Sequence, residues 1–119
     1  MEWETIFYRE ENGEVPVENY LDSLPSKHAA KVLRSMELLE EFGPSIGAPH
    51  VENIRENIRC LRVKQGSNIF RIFFFTWVDQ RLIMLNGFTK KTPKTPTDEI
   101  RRAMIYRDDF LKRKGSERK

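Results

Sequence analysis

Cysteine occurs once, at Cys60, so the chain cannot close an internal disulfide. No run approaches the roughly 20 apolar residues that a helix needs to cross a bilayer. The opening stretch, residues 1–14, is acidic and lacks the basic start and apolar run of a secretion signal. These absences lead us to expect a cytoplasmic protein with no membrane association. Histidine occurs twice, at His28 and His50, and neither sits near a cysteine. A zinc site is therefore not expected, and no other metal or cofactor is. A glycine-rich phosphate loop is missing, as is a carboxylate cluster suited to two-metal catalysis. No serine or cysteine has the surroundings of an activated nucleophile, and Cys60 reads as a small buried residue.

What is present is charge, unevenly spread. Residues 1–49 carry 4 Lys/Arg against 10 Asp/Glu, a balance of −6; residues 50–119 carry 17 against 8, a balance of +9. Such a split suits a polyanion or an acidic protein on one side of the molecule, although solvated surface charge could fall the same way. The 119 residues suffice for one domain, which we place at 1–111 with a polar, fraying tail at 112–119.

The pattern predicts the order β-α-α-β-β-β-α. Residues 2–9 alternate as a strand. Pro16 suits the first turn of a short helix showing Val17, Tyr20, Leu21 and Leu24 on one face. Ser26 is the expected cap of a second helix carrying Ala29, Val32, Leu33, Met36 and Leu39, ended by Gly43-Pro44. Residues 44–57 read as irregular. Residues 58–64 and 69–76 read as strands joined by a turn at Gln65–Asn68, and 81–88 as another. Residues 89–96, with three lysines and two prolines, read as a loop or a strand end. Thr97 caps a last helix with Ile100, Ala103, Met104, Phe110 and Leu111 on its apolar side.

Arg71 is the most informative position. It interrupts the otherwise apolar run IFRIFFFT, where a charge needs either a structural ion pair or an anion in a cleft. A hairpin centred on Gly66-Ser67 sets Arg62 opposite Arg71, and two facing arginines repel unless an anion lies between them. Their planar forks suit phosphate. Lys64, Lys90, Lys91 and Lys94 could extend a cationic groove along a nucleic-acid backbone, or be plain solvated surface. Phe88 and Tyr106 could stack on bases, or belong to the core. Arg107 could point into a cleft, or snorkel from the helix. Such a set can cut RNA, whose 2′-OH is its own nucleophile: cations stabilise the developing charge, and a lysine among cations becomes a better base.

The stretches Arg59–Arg62, Phe70–Phe75, Leu82–Phe88 and above all GFTKKTPKTPTDEI, Gly87–Ile100, resemble the phage-derived Gp49-like/HigB-like branch of the RelE/ParE toxin superfamily. The resemblance covers roughly residues 15–110. It implies an α+β, RelE-like fold, with a small antiparallel sheet, two N-terminal helices packed on it and a C-terminal helix. It also implies a type II toxin that enters the ribosome and cuts messenger RNA. A cognate helix-turn-helix antitoxin would be its partner in a toxin–antitoxin hetero-oligomer. Arg62, Arg71, Lys90 and Lys91 carry over as the catalytic set, with Tyr106 positioning a base and Lys64, Phe88, Lys94 and Arg107 binding RNA. Asn86 departs from the histidine that many relatives place before Gly-Phe. The same fold also serves gyrase-inhibiting toxins of ParE type, and an inactive relative could act only in operon repression with its antitoxin.

Overall fold

The computed structural model describes residues 2–90 and 96–117. The chain forms β1 (Glu4–Phe7), α1 (Pro16–Asp22), α2 (Ser26–Phe42), a 3-10 turn at Pro44–Ile46, β2 (Val51–Arg55), β3 (Ile58–Gln65), β4 (Asn68–Trp77), β5 (Arg81–Lys90) and α3 (Thr97–Glu117). This is the expected α+β architecture, with differences of detail. The strands make one five-stranded sheet in the order β1-β5-β4-β3-β2. The sheet is mixed rather than wholly antiparallel, because β1 lies parallel to β5, Glu4 beside Arg81 and Phe7 beside Met84. Residues 44–57 are not irregular throughout: Val51–Arg55 pairs with β3 as an edge strand. The turn between them, Glu56-Asn57, holds both residues at positive φ (42° and 73°), the geometry of a tight hairpin that matches strand twist. Pro25, not Ser26, is the capping residue of α2, and no side chain caps that end. The last helix continues beyond Leu111 into residues that read as tail.

The alternation of the strands builds two cores. On one face α1 and α2 cover Leu61, Val63, Phe70, Ile72, Phe74, Leu82 and Met84, using Val17, Leu21, Val32, Met36 and Leu39. On the other face α3 brings Ile100, Ala103 and Phe110 against Cys60, Phe73, Phe75, Ile83, Leu85 and Phe88. Each fully buried aliphatic or phenyl side chain stabilises the fold by roughly 1.5–3 kcal/mol. The central strand β4 is therefore apolar on both sides, as its sequence predicted. Leu33 and Leu111, assigned to helix core faces, are instead largely exposed.

Between β4 and β5 the register shifts at Phe73/Phe74, so that Leu85 is the extra residue between Met84 and Asn86. The bulge turns Leu85 and Asn86 to the same side, toward α3. Gly87 follows, and a side chain there would meet Tyr20 at 2.5 Å and Ile72 at 2.7 Å. Its bareness lets α1 sit against β5, where Tyr20 and Thr89 hydroxyls also bond at 2.8 Å. At the other end of the sheet, the free edge of β1 is tied to α2: Trp3 N–H donates to the Glu40 carbonyl and Thr5 N–H to the Glu40 carboxylate.

Candidate nucleic-acid interface

The β3–β4 hairpin closes about Gly66, whose φ of 61° is the conformation this two-residue turn requires. Its register sets Arg62 directly across from Arg71 and Lys64 across from Ile69. Phe88 and Lys90 continue the same two rows on β5. Arg62, Lys64 and Arg71 share the sheet face of Cys60 and Phe73, the face toward α3.

An anion does lie between the two arginines, and it is a carboxylate of the chain itself. Arg71 Nη1 donates to Glu52 Oε1 at 2.6 Å, and Arg62 Nε lies 3.4 Å from the same oxygen. Glu52 comes from β2, paired with Cys60. The ion-pair reading of Arg71 is thus realised, with Arg71 only 5% exposed. Beside the pair, burial pushes the Cys60 thiol up to about 12, so it stays protonated and apolar in character.

Arg62 also lies at the edge of β3 that β2 leaves uncovered. It lines a groove of about 260 Å³ with Lys31 and Ser35 of α2, Pro49, His50, Val63, Lys64 and Ile69. Beyond Leu61 β2 no longer covers the edge of β3; the Arg62 N–H donates instead to the His50 carbonyl at 2.8 Å. That bond holds His50 beside Arg62. Lys31, His50, Arg62 and Lys64 therefore surround one opening, and no acidic residue among those described lines it. Lys31 had no sequence signal, since it lies 31 positions from Arg62 on a helix. His50 had a weak one, as one of only two histidines.

Other expected contributors are placed elsewhere. Phe88 is 9% exposed and packs on Phe73 at 5.3 Å, so it is core and offers no face to a base. Tyr106 stacks on Tyr8 at 4.8 Å, which occupies one face of its ring. Arg107 does not reach a cleft: it donates to the Glu56 carbonyl in the β2–β3 turn and pairs with Asp108, fastening α3 to that hairpin. In both aromatic cases a neighbouring ring engages the side chain, burying Phe88 in the core and covering one side of the half-buried Tyr106. Lys91 and Lys94 lie outside the described residues.

Asn86 is 2% exposed and donates to the Glu99 carbonyl at 3.3 Å and to its carboxylate at 3.1 Å. Glu99 in turn pairs with Arg102 at 3.3 Å. Asn86 thus anchors the first turn of α3 to β5. Among the described residues no group of three or more His, Cys, Asp or Glu is placed to hold a metal ion, and no helix is long and apolar enough to cross a membrane.

The family described as phage derived protein Gp49-like (DUF891) matches residues 19–107. Two curated relatives, both named probable endoribonuclease HigB1, come from Mycobacterium tuberculosis strains CDC 1551 / Oshkosh and ATCC 25618 / H37Rv. Each is 31% identical over 83 residues, which is 70% of this chain and 64% of the relative. The match thus spans just under two thirds of their length. The crystal structure of an archaeal RelE-RelB complex from Pyrococcus horikoshii OT3 superposes with a TM-score of 0.53 at 18% identity, over 79% of this chain and 100% of that one. At that identity the likeness is one of fold.

Proposed function

The chain belongs to the phage-derived Gp49-like family, and from that premise we propose that it is the toxin of a type II toxin–antitoxin pair, an endoribonuclease that cuts messenger RNA on the ribosome in the cytoplasm. The observation that carries the reading is the groove at the free edge of β3, where Lys31, His50, Arg62 and Lys64 converge without a described carboxylate. A cationic opening of this kind tracks a phosphate backbone. Relatives named as endoribonucleases support the same activity.

In this reading Arg62 and Arg71 hold the scissile phosphate. The 2′-oxygen bonds to phosphorus, the 5′-oxygen leaves, and the two arginines stabilise the negative charge that accumulates between those events. Lys90 or Lys91 accepts the 2′ proton. His50, held next to Arg62 through its own carbonyl, is the second proton carrier in the groove and gives a proton to the departing 5′-oxygen. It stands in for the histidine that Asn86 does not supply, Asn86 being committed to α3. The partner is a helix-turn-helix antitoxin with which the chain forms a hetero-oligomer.

Induction without the antitoxin, followed by primer extension on cellular messages, tests the proposal. Growth arrest with new cuts inside translated codons is the expected result, abolished by Arg62→Ala and by His50→Ala. DNA damage without message cleavage would instead place the chain with gyrase inhibitors. A folded protein that neither arrests growth nor cuts would leave only a role in operon repression.

A further inference from the structure

The Glu52 carboxylate has three unusual features together. Its Oε1 is the atom nearest to both arginines, 2.6 Å from Arg71 Nη1 and 3.4 Å from Arg62 Nε. Its side chain is 40% exposed while that of Arg71 is 6% exposed, so the carboxylate can swing into water and the guanidinium cannot. The pairing also leaves the arginines incompletely served: Arg71 Nε is buried without a hydrogen-bond partner among the described residues, and Arg62 Nε has only the 3.4 Å approach of Glu52 Oε1. A buried guanidinium N–H without an acceptor is unfavourable. A phosphodiester offers two non-bridging oxygens where Glu52 applies one. It could therefore satisfy donors that Glu52 leaves open.

We infer that Glu52 is a placeholder for the substrate's phosphodiester: it holds Arg71 and Arg62 together while the site is empty, and RNA displaces it. The inference rests on the nuclease reading above and names a positioning residue for it. Without Glu52, two facing arginines repel and Arg71 has no anion to orient it. With Glu52, RNA must first expel a carboxylate, so affinity is held below what the cations alone would give. β2 is suited to the exchange, because it is an edge strand with a register irregularity between Asn53 and Arg55, next to the residue that must move.

The test measures binding of a fluorescein-labelled oligouridylate by anisotropy across a salt series. Glu52→Gln keeps shape and removes the charge. It should bind about three- to tenfold more tightly at low salt, and its slope of log affinity against log salt should steepen by about 0.7, one further phosphate neutralised on a single strand. Glu56→Gln, an exposed neutralisation in the adjacent turn, should change both far less. Equal affinity and slope for Glu52→Gln and the native chain would overturn the inference while leaving the nuclease reading intact. If the native chain binds no oligouridylate, or binds it equally with Arg62→Gln, the arginine pair does not take a phosphodiester and this inference fails, while primer extension decides the nuclease reading separately. Should Glu52→Gln unfold, the unmodified protein still decides: the Nε–Hε nuclear magnetic resonance signals of Arg62 and Arg71 should move as oligouridylate is added, and stationary signals would overturn the exchange.

Discussion

The two faces of the sheet are made by the same strands and alternate residues, yet they are built to different rules. Among the described residues, the buried side chains of the face under α1 and α2 are apolar, Phe70, Ile72 and Phe74 on β4 with Leu61 and Val63 on β3. The face under α3 buries comparable phenyl rings but also holds Arg71 and Asn86, the two buried polar residues among those described. Each of those is answered from another element, Arg71 by Glu52 of β2 and Asn86 by Glu99 of α3. The difference teaches where the chemistry can sit. A closed apolar layer holds the strands, and its reverse carries charge at the hairpin end, where Arg62 and Lys64 emerge past the groove.

The apolar face carries most of the stability. Phe74→Ala removes a fully buried ring from the α1/α2 face and should cost about 3–5 kcal/mol. Urea unfolding would show it as a fall in midpoint at unchanged slope. A loss under about 1 kcal/mol would mean that this face is not the stabilising layer.

On the other face, Arg71→Ala should act on activity more than on fold. Loss of a charge-stabilising donor lowers cleavage by about 100-fold or more. Glu52 is left without its closest partner, but it is exposed enough to hydrate, so stability should fall by only about 1–2 kcal/mol. Cleavage assays beside thermal melts separate the two effects. An unfolded Arg71→Ala would return Arg71 to a purely structural ion pair.

How far this corner could be read from the sequence depends on how local each signal was. The Arg62–Arg71 register follows from one glycine turn, because hairpin pairing is fixed by its centre. The anion between them was foreseen as a necessity but not as Glu52, which lay in a stretch read as irregular. VENIR alternates, but it is a five-residue edge strand with two charges, and edge strands need little apolar content. The Glu56-Asn57 turn before Ile58 was the available signal. The parallel pairing of β1 with β5 joins residues almost 80 apart, and no local pattern encodes it. Phe88 and Tyr106 remained ambiguous because an aromatic ring suits core and base stacking equally; only their neighbours, Phe73 and Tyr8, decide.

The contact between α1 and the sheet gives a smaller and sharper test. Gly87→Ala places a methyl group against Tyr20 and Ile72, both closer than real contacts allow. Overpacking of this kind should cost about 1–3 kcal/mol. Trimming the ring by Tyr20→Leu in the same chain should recover part of it. Absence of any loss in Gly87→Ala would mean that α1 is held loosely and that the bare backbone is not what admits it.

The smallest effect concerns how α3 is fastened. Tyr8 Oη donates to Asp109 at 2.6 Å, and Arg113 Nη2 pairs with the same carboxylate at 2.5 Å. The Tyr8 hydroxyl first, and Arg113 after it, hold the Asp109 carboxyl below the usual carboxylate range, while burial and the same carboxylate push the Tyr8 hydroxyl well above its ordinary value. A carboxyl whose value is lower in the fold than in the open chain stabilises the fold above its unfolded value, near 4, and that contribution is lost as pH falls through the folded value. Tyr8→Phe should therefore cost about 1 kcal/mol at neutral pH, the typical net worth of one hydrogen bond. The gap between Tyr8→Phe and the native chain should then narrow as the medium is acidified from about pH 4 down through the lowered value of Asp109, below which its carboxyl is protonated in both. Chemical denaturation at a series of pH values measures that gap directly. A gap that stays constant with pH would show that Tyr8 holds α3 by the packing of its ring on Tyr106, and that the charge on Asp109 contributes nothing to the fastening.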